Sequence, residues 1–276
     1  MKKTDLRKSA VALAAAAMMA AMPALRAYGQ EIGGDLTSAA RWYIADGTLY
    51  LSGRDTVPTT MFGQQSPWHP YRTQFNAVVI EEGITGVGKH VFNGYGNITS
   101  LTVAGSVRFL DDNSFSLCRN LAVVEVRSAI PPNVDAATFV LTKIKKAKLV
   151  VPTGCSAEYK DTPFWNKFGA IEESGLTATD AEEIGRTLDE PCTVRLYREA
   201  RYSGAFSSLR VFLNGVEQEP LKNGQAIEMQ TDRPRNRIAI KWRKSNMGYF
   251  SFDAIPGGAV QINYSAATTN FRIMAQ

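Results

Sequence analysis

Residues 75–97 read FNAVVIEEGITGVGKHVFNGYGN, and residues 98–120 read ITSLTVAGSVRFLDDNSFSLCRN. Laid one over the other, they share apolar positions at a spacing of 23 residues: Phe75 with Ile98, Val78 with Leu101, Ile80 with Val103, Ile84 with Val107, Val87 with Leu110 and Phe92 with Phe115. The register continues as Leu121, Val124 and Val126, and more weakly as Ile144, Ala147 and Leu149, after a Pro131-Pro132 insertion that leaves Phe139 one residue late. A period of this length marks units of a short strand and a turn that cannot bury their apolar side alone. Neighbours must stack and share one core.

The same comparison argues against a nucleotide site. Gly83, Gly88, Lys89 and His90 fall one residue short of the phosphate-cradling loop G-x-x-x-x-G-K-[ST]. In the following copy Ser106, Asp111 and Asp112 replace Gly83, Gly88 and Lys89, so the charge reverses while the packing positions persist. A phosphate loop must also open onto a helix N-terminus. Gly94 and Gly96 stand where that helix would run, at a cost of about 1 kcal/mol each.

The segments VFNGYGNITSLTV (91–103) and SFSLCRNLAVVEV (114–126) resemble the repeat of BspA-like leucine-rich repeat surface proteins. Cys118 matches the repeat cysteine, Tyr95 replaces it one unit earlier, and Ala104-Gly105 replaces the usual proline step. The flanks WYIADGTLYLSG, SPWHPY and LVVPTGCSAEYKDTPFWNKFGAIEE are similar to this family's ends, so the resemblance spans roughly residues 41–173. It implies a short capped leucine-rich repeat solenoid and, for function, adhesion or surface contact. Asp46-Gly47 independently signals a hairpin that would give the first coil a sheet edge. Tyr159, Trp165, Phe168 and Ile171 supply a lid for the last one.

Strand side chains alternate faces, so Val78 and Ile80 inside place Ala77, Val79 and Glu81 outside. The predicted outward rows are Ala77, Ser100, Val123, Lys146; Val79, Thr102, Glu125, Lys148; and Glu81, Ala104, Arg127, Val150. Val79, Thr102, Glu125, Lys148 and Arg127 are the candidate binding residues of this face. Its small, mixed side chains fit a protein partner better than a deep pocket. The alternative is that so short a stack is a spacer.

Lys2, Lys3, Arg7 and Lys8 precede an alanine-rich apolar stretch that ends in a small-x-small site at Ala27-Tyr28-Gly29, which reads as an export signal over residues 1–29. Its five basic residues and one acidic residue account for most of the charge, which falls from +5 to +1 without them. No later apolar run approaches a membrane span. Three cysteines, Cys118, Cys155 and Cys192, give no disulfide framework, although one bridge between Cys155 and Cys192 stays open.

After residue 173 an acidic stretch, 174–188, reads as a linker, and residues 189–276 read as a small β-sandwich: CTVRLYR, LRVFL, AIEMQ, IAIKW, YFSFDA, AVQINY and NFRIM, separated by turn residues such as Asn214-Gly215 and Asn223-Gly224. Residues 30–188 carry 14 basic and 17 acidic groups and residues 189–276 carry 12 and 8, so the parts differ in sign. In RNRIAIKWRK, period-2 alternation sends Ile238, Ile240 and Trp242 to the core and Arg237, Ala239, Lys241 and Arg243 outward, with Arg233, Arg235 and Lys244 in flanking loops. Such a cationic stripe either blocks strand-to-strand aggregation or contacts an anionic glycan. Nucleic acid fits poorly, because interleaved aromatic residues are missing.

Histidine-based catalysis has little to draw on: His69 and His90 are the two histidines, and neither G-x-S-x-G nor H-E-x-x-H occurs. The expectation is a mainly β, non-enzymatic binding protein without cofactor or metal. Its parts are an export signal (1–29), an N-terminal cap (30–74), repeats with a C-terminal cap (75–173), a linker and a C-terminal domain. It would act at or beyond a bacterial cell surface, or alternatively as a periplasmic assembly component.

Overall fold

The computed structural model describes residues 32–61, 63–200, 208–242, 245–267 and 270–274; the expected export signal, Arg243 and Lys244 lie outside them. Strands dominate. The 23-residue period becomes a ladder of parallel strands: β5 (Ala77–Ile80), β7 (Ser100–Val103) and β9 (Val123–Val126) pair as Val78↔Leu101↔Val124 and Ile80↔Val103↔Val126. Each inward residue of these pairs is buried. A second, three-stranded parallel sheet holds the other side of each unit, with β4 (Thr56–Val57), β6 (Gly86–Val87) and β8 (Phe109–Leu110) paired through Val57↔Val87↔Leu110.

The turn between the two sheets explains the glycine at 83. Its φ of +98° lies in the left-handed region, and a Cβ there would collide with the carbonyl oxygen of Gly53. Its N–H donates to Ser106 Oγ at 2.9 Å, so the residue that replaces it one unit later completes its hydrogen bonding. Lys89 Nζ lies 3.1 Å from Asp112, the residue that replaces it. Both positions of the near-miss phosphate loop thus serve contacts between neighbouring units.

Inside, the aromatic residues form one continuous row. Trp68 stacks on Phe92 at 5.2 Å, Phe92 on Phe115 at 5.0 Å and Phe115 on Phe139 at 5.9 Å, and Phe139 meets the edges of Trp165 and Phe168. The row starts in the N-terminal flank and ends in the C-terminal one, where Trp165 Nε1 donates to Pro132 O at 2.8 Å and Tyr159 Oη donates to Ser128 O at 2.7 Å. Asn97 and Asn120, 23 residues apart, tie the exposed turns together: Asn97 Nδ2 donates to Phe75 O at 2.7 Å and Asn120 Nδ2 to Gly96 O at 2.7 Å.

The large sheet extends beyond the repeats at both ends. On one side β1 (Ile32–Asp35), β2 (Ala40–Ala45) and β3 (Thr48–Gly53) pair antiparallel, and β3 then pairs parallel with β5. Asp46 and Gly47 both take positive φ, 48° and 72°, the conformation a tight hairpin requires. On the other side β10 (Lys148–Val151) and β11 (Ala170–Glu173) complete eight strands. Between them α1 (Ser156–Asp161) carries buried Tyr159.

The acidic segment between the two parts lies against the repeat region as a strap. Thr179 N–H donates to Arg127 O at 2.9 Å, and Asp180 accepts from Ser128 Oγ at 2.6 Å and from Ala129 N at 2.8 Å before the short α2 (Ala181–Gly185).

The C-terminal part has two four-stranded sheets. One runs β15 (Ala226–Thr231), β12 (Cys192–Arg198), β18 (Ala259–Ser265), β19 (Asn270–Ile273); the other runs β14 (Val216–Glu217), β13 (Arg210–Leu213), β16 (Arg235–Trp242), β17 (Ser245–Asp253). Val194, Leu196, Val260 and Ile262 from the first share a core with Val211, Ile238 and Ile240 from the second. Cys118, Cys155 and Cys192 are all free, so the bridge between Cys155 and Cys192 that their number leaves open is not formed.

Candidate binding surfaces

The outer face of the large sheet is built by alternation. In β5, β7 and β9 every second residue is buried, and Val79, Thr102 and Glu125 stand between them, half-buried and paired as one row. The pairing continues through Tyr50 to Tyr43 on one side and through Val150 to Glu172 on the other. The row is therefore Tyr43, Tyr50, Val79, Thr102, Glu125, Val150, Glu172.

The fourth position differs from the sequence expectation. Lys148 pairs with Val123 and so belongs to the adjacent row, where it makes a 2.8 Å ion pair with Glu172. The segment carrying Pro131 and Pro132 adds two residues, so Val124 is followed by Leu149 after 25 residues rather than 23. Leu149 and Val151 are the inward residues of β10, in place of Ala147 and Leu149.

The N-terminal hairpin also supplies what the repeats alone lack. Tyr43 and Tyr50 stack at 4.7 Å with an 11° interplanar angle, and Tyr43 Oη donates to Glu81 Oε1 at 2.9 Å. The rows predicted from the period contain no aromatic residue, because the hairpin that carries both tyrosines lies before the first repeat. Beyond the tyrosines the row turns small and then charged, with Arg127 Nε 3.0 Å from Glu125.

The third predicted row, Glu81, Ala104, Arg127, Val150, is partly closed. Ala104 is buried, and Thr179 of the strap accepts a hydrogen bond from Gly105 N at 3.1 Å beside it. Glu82 accepts from the N–H groups of Gly105 and Ser106 at 3.0 and 3.1 Å. Burial pushes the Glu82 carboxyl up, but hydrogen bonds from Thr179, Gly105 and Ser106 outweigh it and hold the group below the usual range.

The cationic stripe of β16 is corrected more strongly. Ile238 and Ile240 are buried as expected, whereas Trp242 is exposed. Arg237 is ion-paired with Glu158, and Lys241 Nζ lies 3.4 Å from Asp161, both carboxylates belonging to α1. Arg235 is not a loop residue: it begins β16 and is fully buried. Its Nη1 donates to Asp180 at 2.8 Å, to Ser128 Oγ at 3.0 Å and to Gly105 O at 3.1 Å, and its Nη2 donates to Ile130 O at 3.3 Å. The outer side of β16 is thus an internal joint against the repeat region. Alternation assigned the correct side up to Ile240, after which a register shift between Ile240 and Lys241 interrupts it before Trp242, and it carries no information about which distant segment covers a side.

Comparison with solved structures finds similarity to a leucine-rich repeat protein from Eubacterium ventriosum ATCC 27560, at 21% sequence identity and a TM-score of 0.33. The match covers 52% of this chain and 40% of that one, so the aligned part is less than half of the other protein. No family model matches the chain, and no curated protein does. Among the described residues no helix is long and apolar enough to cross a membrane.

Proposed function

We propose that this is an exported protein-binding protein of a bacterial envelope, in which a capped leucine-rich repeat solenoid, followed by a small β-sandwich, presents its outer sheet face to a protein partner. The observation that carries this reading is the Tyr43–Tyr50 pair beside Val79 and Thr102. Two rigid aromatic rings next to small side chains offer apolar area with polar tips, the composition that dominates binding energy at protein interfaces. The Glu125–Arg127 pair would form a charged rim.

The test is cross-linking of the full chain to its partners on intact cells, followed by mapping of the linked sites. Links should cluster around Tyr50, Val79, Thr102 and Glu125, and they should be lost in a Tyr50→Ala, Thr102→Arg variant whose melting temperature is unchanged. Retained links would favour the alternative, in which the repeats are a spacer in a periplasmic assembly. Labelling of intact against permeabilised cells separates surface display from periplasmic retention.

A further inference from the structure

Where the repeat region meets the C-terminal sheets, the chain encloses a cleft of about 910 Å³ that is separate from the outer sheet face. Its repeat-side wall carries Phe109, whose ring packs so close to Gly86 that a Cβ there would strike it, and Phe164, whose ring faces Lys167 Nζ at 4.1 Å. The opposite wall carries Phe250 stacked on Phe271 at 5.3 Å and 15°, and Phe271 is backed in turn by Tyr264 at 4.8 Å, so that Phe271 holds Phe250 in place. All four rings are half-buried. Concave sites at the junction of two parts, mainly aromatic with a few convergent polar groups, are where small ligands bind.

The polar groups set the class of ligand. Of the acidic residues in the lining, Asp112 is paired with Lys89 and Asp253 with Arg108 at 3.0 Å. Asp111 and Asp135 on one wall are balanced by Lys167 and Arg272. Asp135 accepts the N–H groups of Ala137 and Thr138 at 2.7 and 3.1 Å, which fixes its carboxyl. Burial, followed by the neighbouring Asp112, pushes Asp135 up to about 6. The site therefore presents donors and acceptors in near-equal charge among half-buried aromatic rings. A polyanion or polycation would find half of the groups repulsive. A neutral polyhydroxylated ring meets both needs, because its hydroxyls donate and accept while its C–H faces lie against the negative faces of aromatic rings.

The walls are also held in place. Asn133 bridges to β17 by donating from Nδ2 to Ser251 O at 2.8 Å and accepting from Ser251 N at 2.8 Å, and Arg108 joins Glu183 at 2.6 Å as well as Asp253. A cleft fixed in this way loses little freedom when it is filled, which favours binding.

We infer that the cleft between the repeat region and the C-terminal sheets is a binding site for a short neutral oligosaccharide, held against Phe109 and Phe164 on one side and Phe250, backed by Phe271, on the other. It is distinct from the protein-docking face, and it stands or falls independently of that reading.

The experiment is isothermal titration of the full chain with cellotetraose, xylotetraose, mannotetraose and chitotetraose, with a sulfated tetrasaccharide and spermine as charged probes. At least one neutral tetrasaccharide is expected to bind in preference to both charged probes. A Phe164→Ala, Arg272→Ala variant should bind it at least tenfold more weakly with an unchanged melting temperature. Tyr50→Ala, on the other face, should bind it like the parent. Because Phe164 and Arg272 lie outside the buried core, loss of binding with folding retained reports the site itself. The inference is overturned if no neutral sugar binds, if a charged probe binds better, or if the double variant binds as well as the parent.

Discussion

At Arg235 a guanidinium with no exposed surface faces a carboxylate, Asp180, that is almost as buried. Burial pulls the Arg235 pKa down, and the charge of Arg108 adds to that, while Asp180 opposes both. Taking both charges out of water is costly, and it is offset by Ser128 and the carbonyls of Gly105 and Ile130, which accept from the two Nη groups while the buried Nε is left without a partner. Arg235→Ala should therefore lower the stability of the whole chain by about 3–5 kcal/mol in urea unfolding, because Asp180 would be left buried and unpaired. Asp135 behaves in the opposite sense. Its carboxyl is raised to about 6 in the folded state from an ordinary 3.8, so the folded state prefers it protonated. Its stabilising contribution is full below pH 3.8 and is lost as pH rises through about 6. Asp135→Asn keeps the acceptor for Ala137 and Thr138 but removes the charge. Since the group is only half-buried, solvent screening reduces the effect to about 1 kcal/mol. The variant should be more stable than the parent at pH 8 and indistinguishable from it at pH 4 by thermal melts.

The aromatic row and the paired strands are the elements that carry the fold, and they differ in how legible they are. Phe92 and Phe115 can be read from the period because both sit at equivalent positions of uninterrupted units, and they stack at 5.0 Å. Phe115→Ala, removing a ring buried between two others, should cost about 3–5 kcal/mol in denaturant unfolding. A change below about 1 kcal/mol would mean that the row does not bear on stability. Trp68 starts the same row, but it lies in a flank without a repeat copy to reveal its role. The shift of Lys148 to the neighbouring row escaped the period because the proline-bearing segment adds its two extra residues locally, in a turn that alternation does not sense. The strap reads as a linker in the sequence because it lacks an apolar period; its attachment relies on the hydrogen bonds that Thr179 Oγ1 and Asp180 accept from Gly105 N and Ala129 N, and on the small Gly105. A Cβ at Gly105 would collide with Thr179 Oγ1. Gly105→Ala should therefore loosen residues 176–186, seen as faster amide hydrogen exchange there with the aromatic row still protected.

Between the repeat region and the C-terminal sheets, the opposite net charges visible in the sequence become paired groups. Arg235 meets Asp180, Arg237 meets Glu158 and Lys241 meets Asp161, while Arg108 reaches Asp253 in the reverse sense and also holds Glu183 of its own part. Neutral contacts run alongside, since Asn133 binds both backbone groups of Ser251 in β17. Asn133 thereby covers part of a sheet edge that would otherwise present unpaired N–H and C=O groups. Residues 32–276 accordingly form one compact unit. If these joints hold as strongly as their burial implies, neither part should unfold without the other. Scanning calorimetry of the full chain should then give a single transition, with calorimetric and van't Hoff enthalpies equal. Exposed ion pairs are weakened by salt, but the Arg235–Asp180 pair has no exposed side-chain surface, so the single transition should survive 0.5 M NaCl. Adding Arg235→Ala and Asn133→Ala removes the buried charge pair and the edge contact together, and the trace should split in two. Two transitions in the parent protein would instead show that the repeat region and the C-terminal sheets are thermodynamically independent, and the joint could then not hold the walls of the cleft in place.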